Sequence, residues 1–469
     1  MVAQKLTAAL LFLAASFAPS PAHGASSILT VCHSIAKEIS SSSSVYYPGS
    51  SNYGFDVSHW SNLSSHSAVC SVEPGSAADL RVLGKSRAPF AIKGGGHTTN
   101  PGFSSTNGVQ ISMTRFSNVV YDASSQTVEI GSGLVWGDVY AALEPHSVNV
   151  VGGRVATVGV AGLILGGGMS YNTNQYGLSI DNVVAYELVL PNGKVTTVTS
   201  KDEDLFWGLK GGFDNFGVVT KFTMKAYPQT EVWGGTIFVL PDSLDAANDG
   251  IAQFSANVTD PKAAIESAFT YYAGQVVLTI IIFYDAPMPP PGLFDGFLSI
   301  PGATQSLSTR SFLSMAHATS SDPGAPNVLF NGPQVKRVTK PLLQAIVNET
   351  KFWGDALTPY SASGLNIVPE TFLPSIFSHG QHSAYPPERL AGLSPINMMF
   401  GWNDSSPAVQ ERFHDALVQS AAQLASVAAQ DGQDSTDAAV YTNYALYGAP
   451  VGNYVRGKCK EVEEDQASV

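Results

Sequence analysis

Basic residues are scarce in this chain of 469 residues. Charged residues make up only 13% of it, and 24 Lys and Arg stand against 37 Asp and Glu, which gives a net charge of −13 at neutral pH. Nucleic acid binding requires clustered Lys and Arg, and the sequence holds no such stripe. We therefore expect no nucleic acid partner, and the acidic excess favours solubility.

Apolar runs long enough to span a bilayer are also missing. The candidates, residues 6–17 and 276–284, fall short of the roughly 20 apolar residues that a membrane helix needs. The first run follows Lys5 and leads into Ala22-His23-Gly24, a pattern typical of a secretory signal peptide over residues 1–24. We expect a secreted mature protein without a membrane anchor.

Cysteine is limited to three residues. Cys32 and Cys70 lie early in the mature chain, and in a secreted protein we expect them to form a disulfide, with two free buried thiols as the alternative. Cys459 is then unpaired. Four Asn-x-Ser/Thr sequons are candidate glycosylation sites and agree with secretion. They are Asn62, Asn257, Asn348 and Asn403.

Signatures of several common enzyme classes are absent. Gly84-Lys85-Ser86 resembles the end of a P-loop, but Asp79 occupies the place of its leading Gly. No Gly-x-Gly-x-x-Gly opens a helix in a βαβ unit, and no Gly-x-Ser-x-Gly occurs. These absences count against nucleotide hydrolysis, a Rossmann dehydrogenase and a serine hydrolase. His379 and His382 lack a third ligand at suitable spacing, so we expect no metal site.

The length predicts two domains, or one domain interrupted by another. Before Pro228, short apolar runs broken by Gly, Asn or Asp predict many short strands and a few helices. After Pro228, the strands are longer. The simplest division is an N-terminal cofactor domain over residues 25–228, an antiparallel sheet with helices over residues 229–437, and a return segment over residues 438–454.

Three local elements have clear sequence signals. Asn192-Gly193 between two apolar runs predicts a β-hairpin. Ser200 and Glu203 predict a capping box at the start of a helix. A helix is predicted from Pro407 to about Gln430, because Pro suits the first helical position and apolar residues then recur on one face.

Two glycine-rich segments are candidates for binding an anionic cofactor. In the first, an apolar strand leads into Gly94-Gly95-Gly96 and then His97, so several backbone N–H groups can approach one anion beside an imidazole. The alternative is that this segment is an ordinary surface loop. The second segment, residues 158–168, could form the other side of the same groove or a tightly packed turn.

These segments stand in a fixed order with three further motifs, which makes the pattern specific. The motifs are residues 128–140, residues 204–212 and residues 215–220. Over residues 32–454 the sequence resembles the berberine-bridge-enzyme-like FAD-linked oxidases of the vanillyl-alcohol-oxidase fold. The resemblance implies an α+β fold, in which a PCMH-type FAD-binding domain of two subdomains carries an inserted antiparallel-sheet substrate domain.

The resemblance also implies a role for individual residues at the cofactor. His97 matches the histidine that is bonded to the 8α carbon of the flavin. The residues matching the pyrophosphate loop are Lys93, Gly94, Gly95, Gly96 and Thr98. Gly159 and Gly162 match the second side of the cofactor groove, and Gly217, Val218 and Val219 match the strand beside the adenosine end. Bicovalent relatives also use a Cys in Gly-x-Cys-Pro, where this chain has Val155, so we expect FAD on one histidine only.

Catalytic residues are implied by Tyr441-Thr442-Asn443-Tyr444, which resembles the family's Tyr-x-Asn-Tyr segment facing the flavin. We expect Tyr441 as the base, with Tyr444 and Asn443 assisting it; an aromatic packing strand is the alternative. A free Tyr has a pKa near 10, so it needs a neighbouring cation or hydrogen bonds to accept a proton at neutral pH.

The C-terminus departs from the family. Relatives continue beyond the position of Tyr454 into a helix and a last strand, whereas residues 455–469 form an acidic tail with Cys459. A truncated or mispredicted end is our hypothesis for this tail. The predicted function is that of a secreted oxidase, which moves a hydride from a small alcohol, amine or hemiacetal to FAD and then to O₂. An oxidative cyclase and a flavin-binding protein without turnover are the alternatives.

Overall fold

A computed structural model of the protein describes residues 25–85, 88–318, 322, 324–381, 383–386, 389, 392–433, 435 and 438–449. The predicted signal peptide, His382, residues 450–454 of the predicted return segment and the tail with Cys459 lie outside these residues. The helices are α1 (Ala25–Glu38), α2 (Ser51–Val57), α3 (Ala77–Lys85), α4 (Trp136–Leu143), α5 (Val160–Leu165), α6 (Thr173–Tyr176), α7 (Glu203–Leu209), α8 (Leu244–Asn257), α9 (Asp295–Leu298), α10 (Phe312–Ala316), α11 (Lys340–Leu357) and α12 (Pro407–Gln430).

The first half of the chain builds two sheets and a short strand pair. Its strands are β1 (Ser44–Tyr46), β2 (Cys70–Glu73), β3 (Phe90–Lys93), β4 (Val109–Ser112), β5 (Val119–Asp122), β6 (Thr127–Gly131), β7 (Val148–Asn149), β8 (Val183–Val189), β9 (Val195–Thr199), β10 (Val218–Lys225) and β11 (Tyr227–Pro228). The first sheet has the order β1-β2-β4-β3, with β4 parallel to both β2 and β3. Cys32 of α1 forms the predicted disulfide with Cys70 of β2.

The second sheet is antiparallel and has the order β5-β6-β10-β8-β9. β8 and β9 form the hairpin that the sequence predicts. Gly193 at its turn has φ of +79°, a left-handed conformation that glycine adopts without a steric penalty. Buried residues of this sheet form a common core with α4 and α5.

The third sheet, which we call the roof sheet, lies wholly within residues 232–402. Its strands are β12 (Val232–Val239), β13 (Ala263–Tyr272), β14 (Gln275–Tyr284), β15 (Thr304–Arg310), β16 (Asn327–Asn331), β17 (Gln334–Val335), β18 (Asn366–Thr371) and β19 (Ser394–Trp402). They follow the order β15-β12-β14-β13-β18-β19-β16, with β17 paired to β19. Apolar residues of α8, α11 and α12 pack on one face. On the other face, Phe283 stacks on Tyr171 of the first half, with ring centroids 4.8 Å apart.

The structure therefore has the predicted α+β fold with an antiparallel roof sheet. Helix α12 runs from Pro407 to Gln430, as predicted, and its N-cap is Ser406. The predicted capping box is wrong: α7 begins at Glu203, and its N-cap is Asp202. The Asp202 carboxylate accepts a hydrogen bond from the Thr199 N–H, which fixes the turn before the helix and leaves Ser200 outside it. The predicted limits between the domains remain a prediction.

Candidate active site

One cavity lies between the two glycine-rich segments, the roof sheet and the return segment. It brings together most of the site residues that the sequence predicts. Those lining it are Gly94, Gly95, Gly96, His97, Thr98, Gly159, Gly162, Val218, Val219, Tyr441, Asn443 and Tyr444. Lys93 and Gly217 belong to the same segments but do not line the cavity.

The two glycine-rich segments touch through their backbones. A Cβ built on Gly95 would lie 2.4 Å from Gly159 Cα, and a Cβ on Gly159 would lie 2.6 Å from Gly95 N. Real Cβ atoms do not approach so closely, so a side chain at either position would push the segments apart. Gly96 also requires glycine, because its φ is +70°. The glycines thus allow two loops to form the two sides of one groove.

Lys93 points away from this groove. Its Nζ donates a hydrogen bond of 2.7 Å to the Phe55 carbonyl and lies 4.8 Å from the centre of the Phe55 ring. Burial lowers the pKa of Lys93 to about 8. The lysine side chain therefore fixes the loop to α2, and only its backbone remains near the groove.

His97 is buried at the cavity wall. Its ring stacks on Trp60 with the centroids 4.4 Å apart, and among the described residues its Nε2 has no hydrogen-bond partner. Burial lowers the pKa of His97 to about 4, so the imidazole is neutral at physiological pH. A neutral imidazole keeps one unprotonated ring nitrogen, whose lone pair is available to a ligand.

The opposite side of the groove offers both space and a polar atom. A Cβ on Gly162 would meet nothing within 4 Å, and the buried Ser132 Oγ has no partner among the described residues. Gly217 has another role: a Cβ there would lie 2.4 Å from the Val189 carbonyl, so glycine lets β10 begin against β8. Its neighbours Val218 and Val219 reach the cavity instead.

The return segment is held in the cavity by hydrogen bonds to α5. Thr442 Oγ1 donates to the Gly166 carbonyl at 2.8 Å, and Asn443 Nδ2 donates to the Leu163 carbonyl at 3.1 Å. A Cβ on Gly166 would lie 2.3 Å from Asn443 Oδ1, so the glycine makes room for the amide. Asn443 therefore acts as a positioning residue for the tyrosines on either side of it.

The two tyrosines have different partners. The Tyr441 hydroxyl accepts a hydrogen bond from Asn443 Nδ2 at 3.0 Å, and burial raises the pKa of Tyr441 to about 12. The Tyr444 hydroxyl donates to Glu370 Oε1 at 2.6 Å and accepts from Arg154 Nη2 at 3.2 Å. Burial first, and then the charge of Glu370, raise the pKa of Tyr444 well above its usual value.

Arg154 joins two buried carboxylates of the roof sheet. Its Nη2 lies 2.8 Å from Glu370 Oε2, and its Nη1 contacts Glu266. Glu266 and Glu370 are directly opposite each other on β13 and β18, where two negative charges would repel. Burial raises the pKa of Glu266 to about 7, although Arg154 opposes that shift. The Arg154 guanidinium therefore holds Glu370, the carboxylate that accepts the hydrogen bond of the Tyr444 hydroxyl.

The cluster of Arg154, Glu266 and Glu370 was not predicted from the sequence. Its signal was a charged residue inside each of two strands, since Glu370 is buried in β18 and the Glu266 side chain in β13 is only 12% exposed. A buried charge needs a partner, so each carboxylate could have been flagged as half of an ion pair. The partner itself comes from a distant part of the chain.

The roof sheet is fixed to the first glycine-rich loop at its edge strand β16. Thr99 Oγ1 accepts a hydrogen bond from the Phe330 N–H at 3.2 Å. Ser61 Oγ donates to the Val328 carbonyl and accepts from the Val328 N–H, at 3.0 and 3.1 Å. These contacts satisfy backbone groups of an edge strand and close the cavity above His97.

Two features are absent from the described residues. These residues contain no group of three or more His, Cys, Asp or Glu side chains that could hold a metal ion. Within the same part of the chain, no helix is both long and apolar enough to cross a membrane.

Comparison with known proteins identifies the cofactor. Residues 70–199 match the model of an FAD binding domain family. An uncharacterized FAD-linked oxidoreductase of Arthroderma benhamiae is 35% identical over 254 residues, covering 52% of this chain and 51% of that protein. The FAD-dependent monooxygenase prx3 of Penicillium roqueforti is 36% identical over 275 residues, covering 56% and 54%. The chain spans about half the length of the curated relatives it matches.

Solved structures share the whole fold at low sequence identity. A carbohydrate oxidase from Microdochium nivale superposes with a TM-score of 0.75 at 17% identity, covering 95% of this chain and 96% of that one. The BBE-like 1 protein of Physcomitrella patens gives a TM-score of 0.72 at 18% identity, covering 94% and 96%. Unpartnered His97 and Ser132 atoms in a groove of glycines suit a flavin dinucleotide. The chain contains an FAD binding domain, resembles FAD-linked oxidoreductases in sequence, and shares the fold of berberine-bridge-enzyme-like proteins.

Proposed function

We propose that this protein is an FAD-dependent oxidase that oxidises a small alcohol, amine or hemiacetal and releases H₂O₂. When bound, FAD supplies the hydride acceptor and the route of the electrons to O₂. The observation that carries the proposal is the cavity that His97 and Tyr444 both line, with the Tyr444 hydroxyl donating to Glu370. The cavity thus contains both a residue to which the cofactor can attach, His97, and a group that can accept a proton, Tyr444.

FAD is bonded to His97 alone in this proposal. The supporting observation is the buried Nε2 without a partner among the described residues. The backbone of Gly94, Gly95, Gly96 and Thr98 would hold the pyrophosphate, facing Gly159 and Gly162, with Val218 and Val219 beside the adenosine end. The cavity holds Val155 where bicovalent relatives carry cysteine, and valine forms no thioether.

Tyr444, rather than Tyr441, is the group that takes the substrate proton. Tyr444 already donates to a carboxylate at 2.6 Å, so its own proton can shift to Glu370 as it accepts one from the substrate. The transfer leaves Tyr444 neutral and Glu370 protonated, and Arg154 holds the two groups in line because it contacts both. Among the residues that the structure describes, Tyr441 has no carboxylate partner; it packs edge-to-face on Tyr444, with ring centroids 4.9 Å apart. The role of Tyr441, together with Asn443, is to orient Tyr444.

Secretion and glycosylation belong to the same proposal. The disulfide between Cys32 and Cys70 is typical of oxidising compartments. All four sequon asparagines lie on the exposed surface, where a glycan can be attached; these are Asn62, Asn257, Asn348 and Asn403. Expression in a secreting host, followed by glycosidase treatment and mass measurement, tests both points.

The first experiment separates flavin attachment from turnover. The purified protein is denatured and acid-precipitated, and the flavin absorbance and peptide masses of the pellet are measured. Flavin on the His97 peptide supports covalent attachment at this residue. In His97→Ala, we expect no flavin in the pellet, although the variant should still bind FAD reversibly. A colourless pellet from a protein that also lacks free FAD contradicts the proposal.

The second experiment tests the assignment of the base. Tyr444→Phe is expected to slow anaerobic flavin reduction by about 10²–10⁴-fold with the FAD content unchanged, because a positioned base contributes about that much. Tyr441→Phe is the matched control and should have a smaller effect. An equal or larger loss in Tyr441→Phe contradicts the assignment.

The names of the relatives suggest one competing reaction. Several are called monooxygenases, and such an enzyme places an oxygen atom in its product instead of releasing H₂O₂. Measuring H₂O₂ against consumed O₂, together with the product mass under ¹⁸O₂, distinguishes the two. One H₂O₂ per O₂ without ¹⁸O in the product supports the oxidase.

A further inference from the structure

Asn397 is a polar residue at the cavity that the preceding functions leave unused. It lies on β19 and lines the cavity. Its Oδ1 is buried and has no hydrogen-bond partner among the residues that the structure describes. Buried amide oxygens are almost always paired, since an unpaired one destabilises the fold. An unpaired oxygen at a cavity wall therefore indicates where a ligand supplies the donor.

The carboxylates on the same side of the roof sheet are already occupied. Glu370 accepts from Tyr444 through Oε1 and from Arg154 through Oε2. Glu266 contacts the other end of the Arg154 guanidinium. In the described part of the cavity wall, the carboxamide of Asn397 is thus the roof-sheet acceptor that remains open to a substrate.

The register of the roof sheet sets the distance between this acceptor and the proposed base. Asn397 is directly opposite Val368, and Glu370 lies two residues further along the same strand. Asn397 and Glu370 are therefore diagonal neighbours on one face, about 7–8 Å apart. A ring whose reacting carbon lies at Tyr444 can place a substituent on its far side at Asn397.

Apolar side chains also line the cavity near the proposed base. Phe330 and Val155 are among the lining residues, and the Phe330 ring packs edge-to-face on Tyr444 with the centroids 6.1 Å apart. A sugar carries hydroxyls on most of its carbons, and each hydroxyl needs a partner once buried. One open acceptor among apolar side chains suits a ring with one donor better.

We propose that Asn397 is a specificity-determining residue, which accepts a hydrogen bond from a hydroxyl or N–H on the far side of a flat, largely apolar ring. The ring carries its oxidisable alcohol or amine at Tyr444. This inference rests on the proposed function, because it assumes that substrate oxidation takes place in this cavity. It adds the substrate class and the residue that recognises it.

Two probes that differ in a single donor test the inference. 4-Hydroxybenzyl alcohol has a donor opposite its oxidisable carbon, and 4-methoxybenzyl alcohol has the same ring without it. The native flavoprotein should favour the hydroxyl probe by about tenfold in kcat/KM, chiefly through KM, and Asn397→Leu should reduce this preference to about one. Asn397→Asp keeps an acceptor and should retain part of it.

Asn248→Leu is the matched control for the loss of a buried amide. Asn248 in α8 is also buried with an unpartnered Oδ1 among the described residues, but it does not line the cavity. It should leave the preference between the probes unchanged. If Asn397→Leu retains the native preference, or if the native protein treats both probes alike, the inference is overturned.

Binding separates this inference from the proposed function. The dissociation constants of 4-hydroxybenzaldehyde and 4-methoxybenzaldehyde are measured from the change in the flavin spectrum, which requires no turnover. An Asn397-dependent preference in binding, without oxidation of either alcohol, supports the role of Asn397 and contradicts the oxidase. Rapid oxidation of cellobiose, unaffected by Asn397→Leu, supports the oxidase and overturns the substrate class.

Discussion

The two sides of the cavity are held together by different kinds of interaction. On the glycine side, backbone meets backbone: Gly95 and Gly159 leave no room for a side chain between the two loops. On the roof side, charged and polar side chains meet across long separations, as Arg154 and Tyr444 do over 290 residues. The cofactor side of the cavity therefore depends on the absence of side chains, whereas the substrate side depends on ion pairs and hydrogen bonds between side chains.

The largest effect on stability is expected at the roof side. Arg154→Met leaves the carboxylates of Glu266 and Glu370 buried without their cation, and removing one partner of a buried ion pair costs about 3–5 kcal/mol. The free energy of unfolding in urea measures this loss. Adding Glu266→Gln to the variant removes one unpaired carboxylate and should recover part of it.

Lys351→Met is the control for this substitution. Lys351 and Asp355 form an exposed ion pair within one helix, which contributes at most about 1 kcal/mol. Similar losses of stability in Arg154→Met and Lys351→Met would show that charge pairing does not hold the roof side together.

On the glycine side, the expected effect is smaller in stability but severe for the cofactor. Gly95→Ala places a Cβ where only 2.4 Å separates it from Gly159 Cα, and such overpacking typically costs about 1–3 kcal/mol. The loops must move apart, so we expect the variant to incorporate much less FAD than the native protein. The ratio of flavin to protein absorbance measures this loss. Gly54→Ala, where a Cβ meets nothing within 4 Å, should keep its flavin.

A pH dependence distinguishes the two sides further. Burial raises the pKa of Glu266 to about 7 from an ordinary value of 4.5. A carboxyl with a higher pKa in the folded state contributes stability below about pH 4.5, and that contribution is lost as the pH rises through 7. The stability of the native protein minus that of Glu266→Gln should therefore fall between pH 4.5 and 7 and be constant above 8.

Urea unfolding at pH 5, 6, 7 and 8 measures this difference. Glu129→Gln, which alters an exposed ion pair of the second sheet, should give a much flatter curve. A difference for Glu266→Gln that rises with pH over the same range has the wrong sign for a buried carboxyl and contradicts the assignment.

The sequence predicted the glycine side better than the roof side for a physical reason. Glycine clusters, the Asn192-Gly193 turn and the Pro407 helix start are local signals, because the residues that carry them are close neighbours in the chain. The cofactor glycines and His97 were found in this way. The Arg154–Glu370–Tyr444 contacts depend on how β18 and the return segment meet in space, so the sequence named Tyr444 without its carboxylate.

Local signals are still ambiguous where two polar residues compete for one helix start, and the smallest predicted effect concerns such a case. Ser200 satisfies the capping-box pattern, but Asp202 is the N-cap, and its carboxylate accepts from the Thr199 N–H at 3.0 Å. Asp202→Ala should lower the free energy of unfolding by about 0.5–1 kcal/mol, because it removes one exposed hydrogen bond. Ser200→Ala should change it by less. Chemical denaturation of both variants measures the difference, and a larger loss in Ser200→Ala would restore the capping box that the sequence predicts.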